Sequence, residues 1–345
     1  MSEHLLLSDL PSTSPALAQL LAQPGLPATA ALCRQAVVLE QEPPREDAQA
    51  AWLTPAERWL LHALRLEGAE AEQAPWARLA ALADGVADAF PADQALCLLT
   101  PAHLRLGRDS LTLTDPAALD LTADEAQPLF AAVEPLFASA GWTLRRVTPM
   151  RWYAAHSSLT EVVTAGVARS LGRSVAAWMP GGPAARPWRQ LLTEVQMTWQ
   201  HHAANEAREQ RGLPDINTLW IHGCGPLAAD WRSPVRLAEY AGDGDAVSDP
   251  ALAAALRGLA LRPRNGPLDT LRIFDARALL ADDPAAGLRQ LDASLSAAIA
   301  QAVQQTGGVR LTLAGELRWR TLQIRRPQVW KFWQRGDFLA QFHGL

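Results

Sequence analysis

Glu194, His201, Asn205 and Arg208 follow one another at spacings of seven, four and three residues, which on a continuous helix puts all four within a narrow arc. Leu192, Val195 and Trp199 form the adjoining apolar stripe. The polar row would therefore border a buried face, where an arginine flanked by amide and imidazole groups could grip a small anion. The stretch continues through Pro214 and Asn217 into a short apolar strand, TLWI, and leaves it through His222, Gly223, Cys224 and Gly225. Glycines at a strand end let a ligand approach the backbone closely. Asn205, Arg208, Asn217, His222, Gly223 and Gly225 are the candidate ligand-binding set.

Other groups with chemical potential are weaker. Asp243, Asp245 and Asp249 offer oxygen donors for a cation, but an EF-hand loop would need glutamate where Ala254 stands, and a solvated turn is the simpler expectation. Adjacent helical residues diverge by about 100°, so His201 and His202 cannot face one metal. Ser157 and Ser158 lie beside His156 without a GxSxG elbow, and read as a strand-end turn. From Glu316 to Asp337 six basic residues (Arg318, Arg320, Arg325, Arg326, Lys331, Arg335) interleave with Trp319, Trp330, Phe332 and Trp333. That run could meet an anion, a nucleic acid or a protein partner, but the alternation of Leu317, Trp319 and Thr321 with Arg318 and Arg320 favours an ordinary strand with outward arginines and a terminal helix docked by its tryptophans.

The elements that must position these groups can be read from pattern. Residues 1 to 90 alternate Ala/Leu-rich runs with proline breaks and read as short helices, one of them opened by the capping box Thr54-Pro55-Ala56-Glu57. LCLLT and LTLTD, split by GRDS, suggest paired strands. Thr122 and Glu125 open a second capped helix, and TLRRV with RWYAAH suggests another strand pair. LDTLRIFDA reads as a buried strand. A long helix from about residue 285 to Thr306 stops at Gly307-Gly308, and VRLTL with LRWRTLQIRR suggests a hairpin. The fold class is α/β, in three blocks: a helical N-terminal region (1–94), an α+β substrate-like domain (95–190) and an α/β domain with the basic aromatic C-terminus (191–345).

The segment Asn205, Arg208, Gly212, Pro214, Asn217, Gly223, Gly225 resembles the corresponding stretch of the archaeal-type, cofactor-independent phosphoglycerate mutases of the alkaline-phosphatase superfamily. In that family a helix ending HPVN is followed by R, G, P and AN, and then by a strand closing RGxG. LTPAHLRLGRDSLTLTDPAALDLTADEAQPLF is similar to the start of the family's inserted domain and ALRGLAL to a following helix, so the resemblance covers about residues 95–300. Closer still is the proteobacterial RpfE-like group. The resemblance implies an alkaline-phosphatase-like α/β C-terminal part, two metal ions (Mn or Mg) and a hydroxyl nucleophile. The chain departs from the pattern at three places. His222 replaces an arginine. Asp84-Gly85-Val86-Ala87-Asp88 imitates the metal-binding DGxGD but follows a helical run. RIFDARALLADDP supplies Asp275, Asp282 and Asp283 without a histidine, and the last two read as a helix start. The expectation is a non-catalytic, mutase-like regulatory or anion-binding protein without a cofactor; the alternative is a metal-dependent phosphoryl-transfer enzyme, such as a phosphoglycerate mutase, that uses Mn or Mg.

Composition bounds these readings. A net charge of −5 gives no general attraction to nucleic acid, and no uninterrupted apolar run suits a membrane span. Lys331 is the single lysine among 31 basic residues, so the arginines reflect codon usage more than phosphate binding. Cys33, Cys97 and Cys224 are odd in number and form no CxxC pair, which fits a reducing, cytoplasmic setting.

Overall fold

The computed structural model describes residues 2–10, 26–66, 72–91, 94–108, 110–241, 249–279, 283–326, 338–342 and 344–345. In chain order the strands are β1 (Glu3–Ser8), β2 (Val37–Gln41), β3 (Leu96–Ala102), β4 (Leu104–Leu106), β5 (Leu111–Leu113), β6 (Thr143–Arg146), β7 (Trp152–Ala155), β8 (Thr218–His222), β9 (Val235–Ala241), β10 (Asp269–Asp275), β11 (Gly308–Ala314) and β12 (Trp319–Arg325). The class is mixed α/β. The chain forms two compact units, one of Met1–Arg65, Arg232–Ala253 and Arg262–Leu345, the other of Leu66–Trp231 and Ala254–Leu261. These units interleave along the chain, whereas composition marks consecutive blocks. Pairings such as Leu6 with Ile273 leave no trace in local composition.

The first unit is built on a six-stranded sheet in the order β2-β12-β11-β1-β10-β9. β1 runs parallel to both β10 and β11, β10 runs parallel to β9, and β12 and β2 add antiparallel strands at one edge. Leu5, Leu6 and Leu7 are fully buried, as a central parallel strand covered on both faces requires. Such an unbroken apolar run has no period of two, which is why residues 3–8 read as helix and are corrected here to strand. The same correction applies to β2. The Pro284–Thr306 helix presents Leu288, Leu291, Leu295, Ile299 and Ala302 to this sheet's core, at helical spacing. Asp283 caps its start and Gly307, at φ 80°, ends it, both as the sequence indicates. Asp292, on the same helix, accepts from the amides of Ala28 and Thr29 and so fixes the start of the Pro27–Leu32 helix.

The second unit holds a four-stranded antiparallel sheet, β6-β7-β3-β8. β3 is buried along its whole length. Its core is rich in tryptophan: Trp142, Trp152, Trp188 and Trp199 pack with Phe130, Val133 and Phe137 of the Ala123–Ser139 helix, and Trp199 Nε1 donates to the Leu129 carbonyl at 3.0 Å. The hairpin expected between LCLLT and LTLTD forms instead between β4 and β5, because β3 is committed to β7 and β8.

Candidate functional site

The segment singled out by spacing does not form one continuous helix. Helices span Arg186–Trp199 and Ala203–Gln210, and between them His202 caps the second by accepting the Ala204 amide at 3.2 Å. The expected arc of Glu194, His201, Asn205 and Arg208 is therefore broken at residue 200. Asn205 donates to the carbonyls of Trp199 and Ile216 and accepts the Ile216 amide, tying the helix to the incoming strand. The Arg208 side chain is completely buried: Nε reaches the Pro214 carbonyl at 2.8 Å, Nη1 reaches Glu125 at 3.0 Å, and Nη2 reaches the Leu119 carbonyl at 2.5 Å. Asn217 bridges the amide and carbonyl of Leu104. His222 lies 3.0 Å from Thr100 Oγ1, and burial lowers its pKa to about 4, so the ring is neutral and engaged.

The two glycines meet protein backbone at close range. A β-carbon on Gly223, which has φ 71°, would sit 3.0 Å from the Ala77 nitrogen, and one on Gly225 would sit 2.3 Å from the Ala74 carbonyl carbon. Ala77 donates to the Gly223 carbonyl and Gly225 donates to Ala74. Close approach, the feature the glycines signal, is thus used to dock the start of the Trp76–Ala83 helix. The six residues fall at the two ends of β8, Asn205, Arg208 and Asn217 at its start and His222, Gly223 and Gly225 at its end, and their polar groups are held by the protein itself.

Several other candidates take structural roles. Asp84 accepts two bonds from Arg151, at 2.7 and 2.9 Å, and one from the Tyr153 hydroxyl at 2.6 Å, while Asp88 is exposed in a short turn. His156 Nδ1 accepts the Ser158 amide and lies 2.8 Å from Ser158 Oγ, forming a turn cap stacked on Trp142. Arg318 and Arg320 reach neutral partners, among them the carbonyls of Gly344 and Gln341. Lys331, Arg335, Trp330, Phe332 and Trp333 lie outside the described residues, as do Asp243, Asp245 and Asp282.

A different group of side chains converges in the first unit. The parallel ladder pairs Ser8 with Asp275 and Phe274 with Ala241, so the carboxyl ends of β1, β10 and β9 lie side by side. Open α/β sheets place ligands at that edge. Asp9 leaves β1 there with φ 55°, a left-handed conformation that is uncommon for any residue but glycine and tends to persist where function requires it. Asp275 ends β10 and is fully buried. Asp249 caps the Pro250–Gly258 helix by accepting the amides of Ala251 and Leu252. Glu57 completes the Thr54 capping box, and Thr54 stands at that helix's N-terminus, largely buried.

The electrostatics report the convergence. Burial raises the Asp9 pKa to about 6; Arg277 works against the shift and the charges of Asp275 and Glu57 add to it. Burial likewise raises Asp249 to about 7, opposed by its backbone donors and reinforced by Glu57 and Asp9. The Tyr240 hydroxyl is pushed well up by burial and then by Asp275, Asp9, Asp249 and Glu57. Four carboxyl groups thus repel one another across a region in which Arg277 is the cation acting on Asp9.

Oxygen donors with excess negative charge suit a hard divalent cation. Among the described residues no group of three acidic, histidine or cysteine side chains is placed to hold one metal ion. A magnesium-type ion needs no such cage, since it keeps water and is held by one or two carboxylates plus the ligand's phosphate. Asp9 follows Ser8, the ladder partner of Asp275, so the two acidic residues stand at the same sheet edge. In the sequence the signal was present as LLLSD and RIFD, two apolar runs that each end in aspartate.

No family model and no curated protein matches the chain. Several solved structures are similar, among them the following two. A cofactor-independent phosphoglycerate mutase from Thermoplasma acidophilum has 13% identity and a TM-score of 0.41, covering 100% of this chain and 95% of that one. The PH0037 protein from Pyrococcus horikoshii has 13% identity and a TM-score of 0.48, covering 94% and 87%. No helix among the described residues is long and apolar enough to cross a membrane.

Proposed function

We propose that the chain is a mutase-like protein that binds a divalent cation of the Mg or Mn type at Asp9 and Asp275 and, through it, a small phosphate-bearing anion, in a regulatory or ligand-sensing role. One observation carries the reading: the carboxyl groups of Asp9, Asp249, Asp275 and Glu57 gather at the carboxyl edge of a parallel sheet and raise one another's proton affinity. A bound cation offsets that repulsion and supplies the attraction for an anion that the carboxylates alone would repel. The segment around Arg208 then serves as scaffold.

Calorimetric titration of the full chain with manganese chloride tests this. The expected result is uptake of manganese that weakens at least about tenfold, or about 1.4 kcal/mol, in Asp9→Asn and in Asp275→Asn while Arg208→Lys leaves it in place. A wild-type chain that takes up no manganese, or an Asp9→Asn/Asp275→Asn chain that keeps full uptake, ends the proposal.

A second reading, metal-dependent phosphoryl transfer, is favoured by Thr54, whose hydroxyl accepts the Glu57 amide at 3.2 Å at the start of a helix, next to a carboxylate that acts on both Asp9 and Asp249. A helix N-terminus favours a phosphate group. Interconversion of 2- and 3-phosphoglycerate by the purified chain with manganese, abolished in Thr54→Ala, would replace the regulatory reading with this one.

A further inference from the structure

A cavity of about 420 Å³ opens in the first unit between residues 44–49 and the turn that joins β11 to β12, lined in part by Arg45, Glu46, Gln49, Leu317, Arg318 and Gly344. Small-molecule sites usually measure about 300–1,000 Å³. Both walls are fixed from behind. Arg58, buried with Glu42, donates to both oxygens of that carboxylate and to the carbonyls of Leu53 and Leu317, and the Glu42 amide donates to the Trp319 carbonyl at 3.0 Å. One buried guanidinium thus ties the segment that carries Arg45 to the turn that carries Arg318, so the cavity is held open by structure that a ligand need not create.

The charges beside it are unevenly matched. Arg45 makes a two-pronged contact with Asp47, both bonds at 3.0 Å. Arg318 commits only Nε, which donates to the Gly344 carbonyl at 2.6 Å, and among the described residues neither Arg318 nor Arg320 is ion-paired. Alternate residues of an extended chain share a face, so the two cations stand on the same side of the strand. Burial and then the charge of Arg318 lower the Arg320 pKa, which is the mark of like charges held close together.

We propose that this cavity binds a small organic phosphate directly, without a metal ion, with the phosphate on the two terminal nitrogens of Arg318. Those nitrogens form a fork that matches two oxygens of one oxyanion. Two cations without acidic partners, Arg318 and Arg320, call for a ligand that carries two negative charges. Gln49 offers an amide donor, and the side chains of Pro44 and Leu317 give the carbon part of the ligand an apolar wall. The cavity is larger than a bare phosphate requires. Glu46 also faces it and opposes any anion, which makes that residue a sensitive reporter of where the charge sits.

Calorimetric titration of the full chain with phenyl phosphate, in EDTA and at constant ionic strength, decides the matter. EDTA withholds cations from Asp9 and Asp275, so this experiment and the manganese titration succeed or fail separately. The wild-type chain is expected to bind saturably, and more tightly than it binds inorganic phosphate. Arg318→Gln, which keeps an amide donor for the Gly344 carbonyl, is expected to weaken binding at least about tenfold. Glu46→Gln is expected to tighten it about threefold. A wild-type chain with no saturable uptake overturns the proposal, as does uptake indifferent to Arg318→Gln; inorganic phosphate that binds as tightly as phenyl phosphate overturns the organic part of the assignment. Should Arg318→Gln misfold, Glu46→Gln decides, because Glu46 is exposed: an unchanged affinity places the anion elsewhere.

Discussion

Ser8 pairs with Asp275 at the last step of the ladder between β1 and β10, and Asp9, the next residue, turns away with a left-handed backbone. Register alone therefore brings two carboxylates from residues far apart in sequence to one edge, and both the repulsion and the backbone conformation oppose folding.

Removing a charge from this edge should make the protein more stable. Asp9→Asn keeps a residue that tolerates the left-handed conformation and deletes one of the repelling carboxylates. We expect a higher melting temperature together with weaker manganese uptake, the trade-off typical of a site kept for function. Differential scanning calorimetry with and without manganese checks both. A lower melting temperature for Asp9→Asn would show that its carboxylate is a structural partner.

The pH dependence has a defined sign. Asp9 and Asp249 ionise near 3.8 when unfolded and at about 6 and about 7 when folded. Below about pH 4 both states hold these protons and nothing is lost; as pH rises to about 7 the unfolded chain releases them first, so this contribution to stability declines. His222, lowered to about 4 by burial, acts in the opposite sense, with stability lost as pH falls from about 6.5 towards 4. The readout is therefore the difference between wild type and Asp249→Asn, which keeps the helix cap, in urea unfolding from about pH 4 to 8. That difference should grow with pH.

Arg208→Ala should be among the most damaging substitutions in the chain. It leaves Glu125 and the carbonyls of Leu119 and Pro214 without their buried partner, a loss of about 3–5 kcal/mol for a buried pair broken on one side. Urea unfolding measures it. A near-neutral Arg208→Ala would return this arginine to the role of ligand-binding residue.

Gly225→Ala tests the glycine reading by the same method. Its β-carbon would overlap the backbone of Ala74 and Pro75, and a loss of about 2 kcal/mol or more is expected. Gly181→Ala, whose β-carbon meets nothing closer than 4.0 Å, should stay within about 0.5 kcal/mol of wild type.

Much of the architecture was readable in the amino acids. Thr54 and Thr122 announced capped helices, Asp283 and Gly307 bounded the long one, and the alternation around Trp319 gave the terminal hairpin. Those are local signals that act within a turn or two. The carboxylate group proposed as a cation site was not legible in the sequence because its logic is not local. Asp9, Asp249 and Asp275 share no spacing: a parallel register brings Asp9 beside Asp275, and Asp249 comes from a helix N-terminus, whereas the row from Glu194 to Arg208 had helical spacing and a break at residues 200–202 that spacing cannot show. The polar side chains of that row attracted notice because they are numerous; in the folded chain the number reflects backbone groups that needed partners.

The central place of β1 also sets the order in which this protein can be completed. Its neighbours are residues 270–275 and 310–313, so during synthesis this apolar strand emerges well before the segments that cover either of its edges. The four-stranded sheet of the second unit, whose segments all lie between those points, can close in the interval. Until β10 and β11 appear, Leu5, Leu6 and Leu7 form an uncovered, aggregation-prone segment, so the nascent chain carries its stickiest strand longest without its partners.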